Sequence, residues 1–158
     1  IDFWRFMDWP NDRPTFDLGD RVFDVIAIPG HHETSIALYD RRTGVLLTGD
    51  SVYPGHLFIP SEEAWPMVGA SLDRLVAFTE THPVTWVLGN HIEVSSEPHQ
   101  PYVYRSVPHP DERVLHFAPT KLLEVARAMR AMGDAPRCEV HEDFVIHPTY
   151  LCGYDWIG

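Results

Sequence analysis

At 158 residues, 44% hydrophobic and 22% charged, the chain has the make-up of one globular domain long enough to bury a core. Its formal net charge of −11 repels polyanions, so nucleic acid is not an expected partner. No run of eighteen apolar residues exists to cross a membrane, so no membrane partner is expected either.

The opening "IDFWRFMDWPNDRP" is aromatic and proline-rich without a period, an irregular lead-in whose rings must pack against the rest of the domain. "TFDLGDRVFDVIAIPG" predicts a hairpin: Phe16 and Leu18, a turn at Gly19 and Asp20, then Val22 to Ile28. "SIALYD" predicts a strand over 35–40, and "RRTG" a turn. "VLLTGD" is a continuous apolar strand, the pattern of one buried on both faces. From Ser61 to Glu80 the spacing turns helical, with Leu72, Leu75 and Val76 along one side and Pro66 confined to the first turn. "VTWVLG" (84–89) predicts another buried strand, which delivers Asn90 and His91 at its end. Residues 92–118, punctuated by proline, predict a long loop. "TKLLEVARAMRAM" predicts an amphipathic helix closed by Gly133. "CEVHEDFVIHP" ends the chain as one more extended segment. The order β-β-β-α-β-loop-α-β predicts an α/β fold, a mixed sheet with helices packed on one face. The two cysteines, Cys138 and Cys152, show no CxxC spacing; one disulfide and two free thiols are equally open, as is the compartment.

In such sheets, ligands gather where strands end at their carboxyl side. Three predicted strand ends carry metal-ligand residue types: His31 after "VIAIPG", Asp50 after "LLTG" and His91 after "WVLGN". A glycine one or two positions earlier lets the backbone turn sharply before each. Two imidazoles and a carboxylate suit zinc or a similar divalent ion. Taken singly, each is more often a surface or capping residue. Three apolar strands ending in His, Asp and His are harder to ascribe to accident.

The stretches "PGHHETSIALYD", "TGVLLTGDSVY" and "VTWVLGNH" together resemble the metallo-β-lactamase superfamily, over roughly residues 15 to 92. The resemblance implies an αββα sandwich, of which this single domain (1–158) forms the C-terminal half, one mixed sheet with helices on its outer face. It implies two divalent metal ions, with zinc expected and iron or manganese as alternatives. His31 takes the place of the histidine on the first metal, Asp50 of the carboxylate that bridges both, and His91 of the histidine on the second. Asp50 is also the expected catalytic residue. The family's His-x-His-x-Asp-His run is absent, because no two histidines here lie two apart. The chain begins with Ile1, which agrees with an N-terminal half lying upstream. Metal binding by this half alone should then be weak and the chain alone inactive. Its inner sheet face should seek a homodimer partner or the N-terminal half. The implied function is a metal-dependent hydrolase in which metal-bound hydroxide attacks an ester, thioester, lactone or lactam carbonyl of a small-molecule substrate. The alternative is a non-catalytic module of the same fold that acts by binding protein.

Four further residues are candidates for contact with substrate or with the ligands: His32, Tyr53, His56 and Glu93. Against this, "SVYPGH" reads equally well as a Pro-Gly turn with solvated side chains, and Glu93 as a surface carboxylate. His82 reads as a helix-end histidine favoured by the dipole, and Trp65, Trp86 and Trp156 as core.

Overall fold

The predicted hairpin forms as β1 (Thr15–Asp17) and β2 (Val22–Ala27), antiparallel, with Phe16 opposite Phe23. β3 (Ile36–Asp40) returns along β2, and β4 (Val45–Gly49) returns along β3. β6 (Trp86–Gly89) then joins β4 in parallel, and the two-residue β7 (His116–Phe117) closes the edge. The result is a six-stranded mixed sheet in the order β1-β2-β3-β4-β6-β7. Two antiparallel steps separate β2 from β4, and β4 is parallel to β6, so β2, β4 and β6 all point the same way. Their carboxyl ends therefore share one rim of the sheet. The computed structural model describes residues 2–156.

The helices cover one face. The register puts Ile26, Ala37, Tyr39, Leu46, Val87 and Phe117 on that face, and all are buried. Against them pack α1 (Ala64–Thr81), through Leu72, Leu75 and Phe78, and α2 (Thr120–Met132), through Leu122, Val125, Ala126 and Met129. Pro66 sits in the first turn of α1, where its missing N–H costs nothing. His82 caps the other end: its ring stacks on Phe78 at 3.8 Å, and its Nδ1 lies 3.1 Å from the Phe78 carbonyl.

On the opposite face the aromatic lead-in behaves as expected. Phe6, Trp4 and Trp9, together with Phe16, pack over Val25, Ala27, Ile36 and Leu38. That cover stops at β3. Leu47 is 38% exposed and Trp86 46% exposed, so β4 and β6 are buried on one face only and not on both. Trp86 is accordingly not core; its ring rests edge-on against His116.

A second sheet accompanies the first. β5 (His56–Ile59) pairs in parallel with β9 (Val145–Pro148), and β8 (Glu139–Val140) pairs antiparallel with β9. The terminal "CEVHEDFVIHP" is thus a hairpin instead of one strand, and a short α3 (Thr149–Cys152) comes after it. Cys138 and Cys152 are joined as a disulfide, their Cα atoms 6.5 Å apart. Residues between β6 and β7 form the expected loop, pinned by bridges at Val94–Pro101 and Ser95–Glu112. Among the described residues, no helix is long and apolar enough to cross a membrane.

Candidate functional site

The shared rim brings His31, Asp50 and His91 together. Gly30 and Gly49 make two of these exits possible. Both have positive φ, and a Cβ on Gly30 would fall 2.4 Å from the Val68 side chain of α1. Any other residue there would push the helix off the strand end that carries His31. Helix α1 is tied to the same end by hydrogen bonds from Ser71 Oγ to the Pro29 carbonyl (2.7 Å) and from Arg74 to the Ala27 carbonyl (2.9 Å). Asn90 N donates to the Gly49 carbonyl at 3.1 Å, which sets the β4 and β6 exits side by side.

The three side chains meet through the carboxylate. His31 Nε2 lies 3.8 Å from Oδ2 of Asp50, and His91 Nε2 lies 3.1 Å from Oδ1. Each imidazole thus faces a different oxygen of one carboxylate. The other nitrogen of His31, Nδ1, lies 3.2 Å from the Phe58 carbonyl. A carbonyl only accepts, so Nδ1 carries a proton and Nε2 is the nitrogen left facing Asp50. Asn90 Nδ2 donates to Oδ1 of Asp50 at 3.1 Å and holds the carboxylate plane. All three side chains are partly open to solvent. Among the described residues, no group of three or more His, Cys, Asp or Glu closes tightly enough to hold an ion by itself.

The remaining candidates divide. Tyr53 is buried, its ring edge-on to His91 at 5.3 Å. Its hydroxyl meets the His56 carbonyl and lies 3.0 Å from Glu93 Oε2. Burial, reinforced by the Glu93 charge, pushes its pKa far above the ordinary phenol value. Tyr53 therefore stays neutral and acts as a prop behind His91, not as a solvated turn residue. Glu93 is half-buried and also accepts the His56 backbone N–H at 3.1 Å, so it braces Tyr53 from behind. His56 is fully buried and points away from the rim; its ring pairs with His147. His32 is exposed and folds back on its own turn, Nδ1 3.0 Å from Thr34 Oγ1, outside the cleft.

The cleft itself, about 810 Å³ and open to solvent, is lined by His31, Asp50, Tyr53, His91 and Glu93 on one side. The other side is an aromatic wall of Phe58, Tyr104 and Tyr154, with Pro60. Sequence reasoning singled out neither the Asn90 amide on Asp50 nor Phe58, Tyr104 and Tyr154 as individual residues. Asn90 could have been found from "GNH", which places an amide donor beside the ligand. Tyr104 and Tyr154 come from the long loop and the C-terminal turn, where no period marks them. Beneath His31 and Asp50 a tight apolar crevice of about 20 Å³ lies between α1 and β5, lined by Leu57, Ile59, Val68, Leu72 and Leu75.

The chain is similar to several known proteins. Human and bovine acyl-coenzyme A thioesterase MBLAC2 are each 35% identical over 82 residues, which is 51% of this chain and 29% of theirs. The Gallus gallus relative is 35% identical over 79 residues, 49% of this chain and 28% of its own. The chain thus spans under a third of the length of the curated relatives it matches. A metallo-beta-lactamase family protein of Thermus thermophilus superposes with a TM-score of 0.50 at 17% identity, over 82% of this chain and 39% of that one, a likeness of fold. The sequence profile of the metallo-beta-lactamase superfamily matches residues 6–135. With that match spanning the sheet, both long helices and the rim where His31, Asp50 and His91 meet, the chain belongs to the metallo-β-lactamase superfamily.

Proposed function

We propose that the chain is part of a metal-dependent hydrolase whose substrate carries an acyl group, with a thioester the leading candidate. The observation that carries this reading is the split carboxylate: Asp50 offers one oxygen to each of two imidazole Nε2 atoms. Asp50 with His31 would hold one divalent ion and Asp50 with His91 a second, zinc being the expected metal and iron or manganese the alternatives. Each ion would then have two ligands from this chain, fewer than the three of a catalytic zinc site, so the remaining ligands must come from elsewhere.

Bound divalent ions supply hydroxide near neutral pH and a positive centre for a developing oxyanion. This chain's own residues do the rest. Asp50 holds the two histidines in register, the Phe58 carbonyl fixes the His31 tautomer, and neutral Tyr53 keeps His91 facing the cleft. The aromatic wall of Phe58, Tyr104 and Tyr154 offers apolar surface to an acyl group held in the cleft. The thioesterase relatives support the choice of substrate class.

A non-catalytic, protein-binding module is the second reading, favoured by the loose donor set and the uncovered sheet face. The test is hydrolysis of an acyl thioester by the full-length protein with zinc, monitored by thiol release. Asp50→Ala should lower turnover on the order of 10²-fold or more while circular dichroism stays unchanged, the scale of loss when a metal site loses orientation. Full activity in Asp50→Ala would overturn the role given to that residue. No turnover by any full-length preparation, with tight capture of another protein, would favour the second reading.

A further inference from the structure

We infer that His56 and His147 share one extra proton inside the protein, a monocationic pair that positions the aromatic wall of the cleft. Both rings are fully buried, and all four ring nitrogens are engaged. His56 Nε2 lies 3.0 Å from the Tyr102 carbonyl oxygen, and His147 Nε2 lies 2.5 Å from the Gly153 carbonyl oxygen. The two Nδ1 atoms are 2.9 Å apart. Carbonyl oxygens only accept, so each Nε2 must carry a proton. Two neutral rings would then face each other with bare lone pairs. The Nδ1 contact becomes a hydrogen bond only when one Nδ1 is protonated as well. Three protons on two rings make a net charge of +1.

A fourth proton is excluded, because two N–H groups cannot meet head-on at this distance. Burial and the neighbouring His56 ring lower the His147 pKa against the upward pull of the Gly153 carbonyl and the Glu93 charge, so it is the hydrogen bond between the two Nδ1 atoms that must retain the third proton. The groups that face the pair come from four elements. Phe58 lies alongside both rings on β5, and Tyr53 and Glu93 stand behind the His56 backbone. Tyr102, Tyr104, Arg105 and His109 line the hollow at His56 from the loop. Trp156 meets the His147 ring edge-on from the C-terminal turn. Glu93 supplies the countercharge among them.

The pair lies directly under the wall. Phe58 touches both rings, and its other contacts are Tyr104 and Tyr154, which stack on each other at 5.2 Å. When the shared proton returns to solvent, two protons must serve three contacts. One carbonyl then loses its donor, either Tyr102, two residues before Tyr104, or Gly153, next to Tyr154. The wall is therefore ordered on the acid side, where the third proton is bound, and loosens as the pH rises and that proton is lost. The wall's role in substrate contact rests on the hydrolase reading; the proton count does not.

Long-range 1H–15N NMR of the histidine side chains, on the full chain without added metal, counts the protonated nitrogens. Three are expected at pH 6, falling to two as the pH is raised to 9, with either the Val103 amide signal or those of Gly153 and Tyr154 moving at the same midpoint. Two protonated nitrogens at pH 6, or loss of the third without movement of those amides, overturns the inference. His147→Gln keeps an N–H for the Gly153 carbonyl but removes the Nδ1 acceptor. It should hold Tyr154 near its low-pH position and abolish the pH response, and a response that survives there overturns the inference too. Three protonated nitrogens in a protein that hydrolyses no thioester would remove the hydrolase reading and leave the pair standing.

Discussion

The large sheet carries apolar side chains on both faces, but helices cover only one of them. Leu46 and Leu47 are neighbours on β4 with opposite fates. Leu46 is fully buried beneath the helices, while Leu47 is more than a third exposed on the far side. Both faces also hold one buried carboxylate away from the rim: Asp24 on the helix face, bound to Arg41, and Asp40 on the other, bound to Arg21. The sheet is therefore anchored alike on both sides, packed throughout on one and only as far as β3 on the other. A face that keeps Val45, Leu47, Trp86 and Leu88 beyond the reach of the lead-in has the composition of an interior.

The largest effect belongs to the covered face. Leu46→Ala removes a side chain at the centre of the main cluster, between Tyr39 and Val87. It should cost about 2–5 kcal/mol in urea unfolding, the range for a buried leucine whose cavity cannot collapse. A loss under about 1 kcal/mol would mean that this face is far less tightly packed than its burial implies.

The same neighbours explain what sequence can and cannot announce. "VLLTG" is apolar at every position that a two-faced strand would bury, and it reads as such. The pattern records what the strand is suited to meet; the helices supply cover on one side only. His31, Asp50 and His91 are legible because each comes after an apolar run and a glycine, which are local signals. β5 is not legible. Its four residues, "HLFI", come after a Pro-Gly and gain their partner strand from about ninety residues further on, a pairing that no period can announce. Tyr53 and His56 read equally well as contacts to the site and as solvated turn residues for the same reason, since only β9 and the long loop bury them. The Asp24–Arg41 and Asp40–Arg21 pairs likewise join residues that look like ordinary surface charges in the sequence.

Those two pairs give the next effect in size. Asp40 accepts hydrogen bonds from Arg21, Thr43 and the Arg42 backbone, which hold its pKa at about 2, below the ordinary 3.8. Arg41 lowers Asp24 in the same direction. A depressed carboxylate stabilises the fold above its unfolded pKa and loses that contribution as pH falls through the folded value. The thermal midpoint should hold above pH 4 and drop between pH 4 and pH 2. Asp40→Asn should lower the midpoint at pH 6 and flatten the acid slope. An unchanged slope would show that the acid response arises on the helix face, at Asp24.

The smallest effect on the fold separates the faces most cleanly. Leu47→Glu places a charge where the side chain already meets water, so the unfolding free energy should change by about 0.5 kcal/mol or less. Its consequence should appear in assembly. A face of this composition is expected to pair with a second copy or with the N-terminal half of the domain, and a buried carboxylate at its centre would be left unpaired. Sedimentation velocity should find the wild-type chain associated and Leu47→Glu monomeric with unchanged circular dichroism. Trp86→Glu, on the adjacent strand and the same face, should repeat the result. A wild-type chain that sediments as a monomer at high concentration would break the comparison. The far face would then be stable in water, and its leucines and tryptophan would need no companion.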